Sequence, residues 1–322
     1  MQESISDAIQ PEIKLLAVIV VFKIRPGASS SLLTLLAAAQ QAASSKLKLA
    51  VLIQDNTPGG QDAGDLPENV RYQAAPHNPG LAQAYNSALK IAEMEGYDWL
   101  LTLDQDTSLP INFLERISEI ALEQAAHHEV GAIVPKVVGD GHSLSPFRLV
   151  WGALPRWYAT DFIRTASCPT YAVNSASTLR VVTLCQIGGY DPFFPLDISD
   201  LNMFHKLANS GKKVFIAGDV IVHHELALLR KEKRMSVERY RAGLLDECAF
   251  WDMKLGSLAR LERIVRLTGR AFKDSFNPEK SQYLSVTLSE MKRRLFTSRR
   301  RRIEAWRGWS NSRAGLPERR IP

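Results

Sequence analysis

The chain has 322 residues, of which 45% are hydrophobic, so it can bury a sizeable core and is neither a disordered nor a fibrous sequence. Three cysteines, Cys168, Cys185 and Cys248, form no CxxC pair, which excludes a disulfide framework or a cysteine zinc site and fits a reducing, cytoplasmic setting. The formal charge of +6 is gathered in the C-terminal third. The first residues carry no basic stretch leading into an apolar run, and no segment approaches the roughly 20 apolar residues of a membrane span, so neither a secretion signal nor a spanning helix is expected.

Residues 15–22 form a β-branched apolar run that predicts a first strand buried on both faces. Ser29, Ser30 and Ser31 then offer caps for a Leu- and Ala-rich helix over 32–43. A second strand is expected at 49–53, ending in Gln54-Asp55-Asn56-Thr57, and a third at 70–74. Asn78-Pro79-Gly80 reads as a helix start, with Asn78 as cap and Pro79 at the first helical position. The helix runs to about 95, and Leu81, Ala84, Tyr85, Ala88, Ile91 and Ala92 give it one buried face.

A fourth strand over 99–103 carries Asp104-Gln105-Asp106 at its C-terminal end, followed by a helix at 110–126 and a strand at 130–134. Strands and helices alternating in this way predict an α/β fold with a mostly parallel, doubly wound sheet. Ligands of such sheets bind outside the carboxyl ends of the strands, where Asp55 and the Asp104/Asp106 pair both fall. Residues 139–170 have no clear period and read as a loop. Short helices at 180–187 and 200–210 flank a turn at 188–191, and strands follow at 213–217 and 219–222. Beyond 225 the pattern is helical and basic, which places a boundary there.

Two carboxylates two residues apart at a strand end can both reach one hard divalent cation and, through it, diphosphate oxygens. Asp104 and Asp106 could equally cap a helix or fill a polar turn. His223 and His224 follow the last strand and could simply be a polar strand end; adjacent strand residues point to opposite faces, so one of them at most can face a site there. Asp200 stands at a helix start, where a carboxylate is a good cap and sits favourably on the helix dipole.

In order along the chain, Ala17–Phe22, Gln54-Asp55-Asn56-Thr57, Asn78 to Asn86, Leu103 to Thr107 and Gly188 to Phe194 resemble the motifs of a family 2 glycosyltransferase of GT-A fold, over about residues 15–225. Asp104-Gln105-Asp106 followed by a hydroxyl residue is closest to the bacterial rhamnosyltransferase group, although Pro195 and Asn202 depart from its pattern. The resemblance implies an inverting, metal-dependent transfer from a nucleotide sugar, such as dTDP-rhamnose, to a saccharide or polyprenyl-linked glycan in cell-surface polysaccharide synthesis. It implies Mg²⁺ or Mn²⁺ held by Asp104, Asp106 and His223, with the nucleotide sugar contacted by Asp55, Asn78, Asp104 and Asn174, and Asp200 or Asp197 as base. Asp55 has an Asx turn as its alternative, Asn78 a helix cap, and Asn86 reads as a satisfied structural amide.

The C-terminal basic residues, Arg293, Arg294 and Arg299 to Arg302, alternate with Leu295, Phe296, Trp306 and Trp309. Such a segment could meet anionic lipid at the inner face of the cytoplasmic membrane, or be a solvated basic face. No nucleic-acid-binding module accompanies it. Two other readings are a nucleotidyltransferase, disfavoured by the absence of a Gly-rich loop after the first strand, and a catalytically silent GT-A protein acting as a membrane-surface or polymer-binding module.

Overall fold

A computed structural model describes residues 12–42, 46–224, 235–277 and 280–314. The expected boundary near 225, with Arg230, Lys231, Lys233 and Arg234 just beyond it, lies outside the described residues. Strand β1 (Ile13–Val21) leads through a capped turn to α1 (Ser30–Gln41), then β2 (Leu47–Asp55), β3 (Val70–Ala74), α2 (Leu81–Met94), β4 (Trp99–Asp104) and the two-residue β5 (Thr107–Ser108). Helix α3 (Phe113–Glu123) and β6 (Val130–Gly139) follow. Short strands β7 (His142–Ser145), β8 (Phe147–Val150), β9 (Leu154–Trp157), β10 (Ile163–Thr165) and β11 (Thr170–Tyr171) occupy the stretch expected to be a loop. The chain continues with β12 (Ser177–Arg180), α4 (Val181–Gln186), α5 (Ser199–Asn209) and β13 (Lys213–His224), and then helices α6 (Val237–Lys254), α7 (Ser257–Ser275), α8 (Ser281–Phe296) and α9 (Arg299–Ala314).

The main sheet has the order β10-β13-β6-β12-β4-β1-β2-β3, with β5 and β7 on its edge. Strands β3, β2, β1 and β4 are parallel to one another, and β12 enters antiparallel between β4 and β6. Alternate residues of β1 point to opposite faces: Leu16, Val18 and Val20 join a core with α2 and α5, whereas Leu15, Ala17, Ile19 and Val21 join one with α1 and α3. Burial on both faces is why the run is uniformly apolar. A three-stranded sheet, β11-β8-β9, lies apart.

Helix α1 begins where Ser29 accepts a hydrogen bond from Leu32 N. Helix α2 starts at Leu81, not at Pro79. Asn78 stands in the left-handed region (φ 48°) and Gly80 (φ 84°) occupies the capping position. A side chain on Gly80 would place its first carbon 2.5 Å from the Pro195 carbonyl oxygen. That approach brings the loop ahead of α5 against the start of α2, and the Ala82 amide donates to the same oxygen. Pro195, which departs from the family pattern, is thus a fixed point of the fold.

The C-terminal helices pack into the same core. Phe250, Trp251 and Trp306 join Tyr190 and Phe194, and the Trp306 and Phe194 rings lie 4.9 Å apart. Of the basic residues expected to face outward, Arg299, Arg300 and Arg301 are exposed, whereas Arg294 and Arg302 are buried. Asp252, buried, accepts from Arg294 at 2.9 Å and from Arg302 at 2.9 and 3.0 Å, while the Trp306 ring N–H donates to Asp246. Arg263 pairs with Glu247 and lies 4.0 Å from the Trp251 ring centroid. No helix among the described residues is long and apolar enough to cross a membrane.

Candidate active site

Strand β4 delivers Asp104 to the carboxyl edge of the sheet, and the next three residues are held by α1. The Ser31 hydroxyl bonds the Asp104 carbonyl and lies 3.0 Å from the Thr107 amide, which donates to it. Ser29 donates to the Gln105 carbonyl at 2.8 Å, and the Gln105 side chain accepts from Phe22 N at 2.8 Å. Two serines that the sequence offers only as helix caps therefore also fix the acidic turn.

Asp104 is partly buried and accepts two hydroxyl donors, Tyr85 at 3.1 Å and Ser175 at 2.6 Å. Burial, then the charge of Asp104, raises the Tyr85 phenol well above its ordinary range, so it remains a donor. Asp106 Oδ1 lies 3.6 Å from His224 Nδ1, and the same ring nitrogen is 3.3 Å from the hydroxyls of Ser175 and Thr107. His224, not His223, thus faces the acidic turn, and His223 is exposed. The expectation for His223 is corrected by a register shift in β13 between Ala217 and Ile221, which resets the alternation of the strand beyond it.

Among the described residues, no group of three or more His, Cys, Asp or Glu side chains stands at metal-holding spacing. The donor types still suit a divalent cation: His224 Nδ1 lies 3.6 Å from Asp106 and is linked to Asp104 through the Ser175 hydroxyl, and Mn²⁺ accepts oxygen and nitrogen donors together.

Asp200 stands in the first turn of α5. Burial, with added repulsion from Asp104 and Asp197, pushes its carboxyl up to about 7 against a favourable bond from the Leu201 amide. The preceding Ile198 is held in the left-handed region (φ 66°), a strained conformation for a β-branched residue. Asp197, the substitute base, has both oxygens engaged by Arg239 of α6. The structure therefore uses Asp197 to tie the loop to the C-terminal helices. Phe193 is tied there too, its carbonyl accepting from Ser310 at 2.7 Å.

Two expected nucleotide-sugar contacts, Asp55 and Asn174, take other roles. Asp55 is 0% exposed; it accepts from Thr57 N at 2.8 Å, closing the Asx turn, and from the Tyr72 hydroxyl at 2.6 Å, so it has no open face for a ligand. Asn174 is buried, donating to Ser199 at 3.2 Å and accepting from Tyr190 at 2.9 Å; it braces the start of α5, and its neighbour Ser175 reaches Asp104 instead. Asn78 is exposed and free of the helix cap. Asn86 bonds both the amide and the carbonyl of Tyr190, the structural role its position suggests. Tyr85, Ser175 and Ser31 carried no sequence signal of their own, because they act only through contacts across the sheet.

Against solved structures, GalNAc-T7 crystallised with UDP, GalNAc and Mn²⁺ aligns over 96% of this chain and 59% of its own, at 14% identity and a TM-score of 0.53. TarS 1–349 of S. aureus aligns over 95% of this chain and 93% of its own, at 14% identity and a TM-score of 0.49. A complex of the same TarS segment with UDP-GlcNAc gives 15% identity and 0.49. This chain spans 59% of the length of the GalNAc-T7 chain. No family model matches the chain, and no curated protein matches it in sequence. The class is a GT-A fold: a mainly parallel central sheet flanked by helices, with a helical C-terminal region.

Proposed function

We propose that this protein is an inverting glycosyltransferase that moves a sugar from a nucleotide sugar to a saccharide or lipid-linked glycan. The observation that carries this reading is the placement of Asp104 and Asp106 on the carboxyl edge of the central strand, facing His224, with an elevated carboxyl at Asp200 near enough to feel the charge of Asp104. GalNAc-T7, which shares the fold, was crystallised with UDP and Mn²⁺.

Asp104, Asp106 and His224 would hold Mg²⁺ or Mn²⁺. The bound ion would neutralise the charge that builds on the departing diphosphate. Tyr85 and Ser175 orient the Asp104 carboxylate. Asp200 takes the proton of the acceptor hydroxyl as that oxygen attacks the anomeric carbon on the face opposite the diphosphate; a carboxyl poised near neutrality accepts a proton more readily than an ordinary one. Asp55, by closing the Asx turn, shapes the loop 56–60 on the nucleotide side.

The donor we assign is dTDP-rhamnose, on the resemblance of Asp104-Gln105-Asp106-Thr107 to rhamnosyltransferase sequences, and the setting is cell-surface polysaccharide synthesis. We place the protein at the inner face of the cytoplasmic membrane. Helix α7 supports this placement: Leu258, Leu261, Val265, Phe272 and Phe276 are all exposed along one stripe, roughly 27 Å long at 1.5 Å per residue. Helix α8 adds Leu288, Leu295 and Phe296, and the exposed charged residues of both helices are cations, among them Lys273 and Lys292. A second copy would meet this face with like charge, whereas anionic lipid complements it.

The function is tested by incubating the protein with a panel of nucleotide sugars and Mn²⁺ and measuring nucleoside diphosphate release with and without acceptor glycans. Release from dTDP-rhamnose that disappears in Asp106→Asn is expected. Undiminished release in that variant would show that the acidic turn plays no part. The membrane reading fails if Leu261→Asp/Phe272→Asp sediments with vesicles containing phosphatidylglycerol as the wild type does.

A further inference from the structure

Three residues that are locally out of place meet at one carboxylate. Helix α6 is capped by Ser236, whose side chain accepts from Arg239 N, so Arg239 stands in the first turn. A cation there faces the positive end of the helix dipole. Gly243 lies inside the same helix, where glycine is unfavourable, and its φ is not positive, so the backbone does not call for it. Ile198 is β-branched yet left-handed, at φ 66°. All three touch or adjoin Asp197. Both Asp197 oxygens accept from the Arg239 guanidinium, one of them at 2.8 Å. A side chain on Gly243 would put its first carbon 3.0 Å from Asp197 Oδ2 and 3.5 Å from the guanidinium, so α6 is bare where the carboxylate rests on it. Local rules broken together mark a functional or strained place in a fold.

Stability does not account for the arrangement. The Arg239 and Asp197 side chains are 37% and 30% exposed, and ion pairs that water reaches contribute little. What the grip fixes is the turn that leads into α5. Elsewhere that loop is already pinned: the Phe193 carbonyl by Ser310, the Pro195 carbonyl by the Ala82 amide, and Ser199 by Asn174. Asp197 and Ile198 lie between the last two pins, and Asp200 follows in the first turn of α5. The charges that bear on Asp200 are those of Asp104 on β4 and of Asp197. Tyr85 of α2 and Tyr190 also face it, and burial raises both phenols, so they are neutral. Arg239 therefore sets how much of the Asp197 charge reaches Asp200.

We propose that Arg239 is a positioning residue for the acceptor side of the site: by gripping Asp197 from α6, it holds the turn 197–199 in place and offsets a negative charge beside Asp200. The proposal rests on Asp200 being the base of sugar transfer. Through Arg239 and Gly243, α6 contributes to the site although neither residue touches a substrate.

The test follows the Asp200 carboxyl by NMR in full-length chains carrying isotope-labelled aspartate carboxyls, in EDTA, its signal assigned by its loss in Asp200→Asn. Removing the cation in Arg239→Gln should raise the titration midpoint by about 0.5 unit or more, and removing the anion in Asp197→Asn should lower it by a similar amount. Arg239→Lys keeps the charge without the two-pronged grip and should hold the midpoint within about 0.2 unit of the wild type. In parallel, dTDP release from dTDP-rhamnose is measured with Mn²⁺ and acceptor glycans. In Arg239→Gln its kcat should fall about tenfold or more, with the donor KM unchanged and the melting temperature within about 2 °C of the wild type, and Arg239→Lys should recover part of the loss. Midpoints that stay put in both charge variants, or move the same way in both, would overturn the proposal, because a merely structural pair would loosen the turn alike in either. A loss in Arg239→Gln that lies in the donor KM alone would overturn it too. If no chain releases dTDP, the wild type included, the sugar-transfer reading fails, while opposite shifts of the midpoint would still support the grip on Asp200.

Discussion

Replacing Asp252 of α6 with alanine should break the buried ion network that ties α6 to α8 and α9. Asp252 is 1% exposed and accepts three charge-assisted hydrogen bonds, one from Arg294 and two from Arg302, which are themselves only 7% and 8% exposed. Its removal leaves Arg302 buried without a carboxylate and Arg294 with only the longer contact to Glu290 at 3.6 Å. Breaking one side of a buried pair costs about 3–5 kcal/mol, because the remaining charge stays desolvated. At about 2–4 °C per kcal/mol for a domain of 150–250 residues, this corresponds to a fall of roughly 6–20 °C in melting temperature, the lower part of that span being expected for this longer chain. The assay is differential scanning calorimetry of wild type, Asp252→Ala and the triple variant Asp252→Leu/Arg294→Met/Arg302→Met. The triple variant should regain most of the loss, since well-packed apolar residues replace buried ion networks at little cost. A fall below about 2 °C in Asp252→Ala would refute the claim that this network holds α6, α8 and α9 together.

Transfer should depend on Asp200 in its ionised form, so the rate should rise with pH through about 7 and level off above it. Asp200→Asn should abolish that limb and lower kcat by about 10²–10⁴-fold. Because the Asp200 pKa is raised on folding, the folded state holds its proton more tightly; this group's contribution to stability is present at acid pH and is lost as pH rises from its unfolded value toward about 7. Chemical denaturation at pH 5 and pH 8 should therefore show a smaller drop in Asp200→Asn than in wild type. Gly80→Ala combines a disfavoured φ of 84° with a carbonyl 2.5 Å from the new carbon, and should cost more than about 1 kcal/mol while weakening donor turnover through the shifted Pro195 loop; an unchanged urea midpoint would contradict this. Ser175→Ala leaves Asp104 with Tyr85 as its remaining hydroxyl donor and should weaken Mn²⁺-dependent nucleotide binding severalfold without moving the melting temperature by more than about 2 °C; calorimetry checks both.

The sheet was legible because its strands are buried on both faces and so read as unbroken apolar runs; β1, β2 and β4 fall, to within one or two residues at their ends, where the runs 15–22, 49–53 and 99–103 place them. Legibility failed where distant contacts decide. The start of α2 depends on Gly80 meeting Pro195, more than a hundred residues away. The choice between His223 and His224 turns on an irregularity in β13, which two short expected strands concealed. Short strands β7 to β11 escaped notice because Gly, Pro and aromatic residues interrupt their alternation. Charge suggests exposure, and Arg299 to Arg301 are exposed, but Arg294 and Arg302 are buried because their carboxylate partner, Asp252, sits on another helix and becomes a partner only in three dimensions. Asp55 shows the reverse case, in which the local turn that the sequence offered as an alternative is the one formed.

The central claim is that Asp104 and Asp106 read a nucleotide diphosphate together with a divalent cation. Isothermal titration of the wild-type chain and of Asp104→Asn/Asp106→Asn with dTDP and with UDP, each in Mn²⁺ and in EDTA, tests it most directly. The account predicts binding in the wild type that requires Mn²⁺ and falls at least about tenfold in the variant, a loss of about 1.4 kcal/mol or more. Binding of equal strength in EDTA, or in the variant, would contradict it.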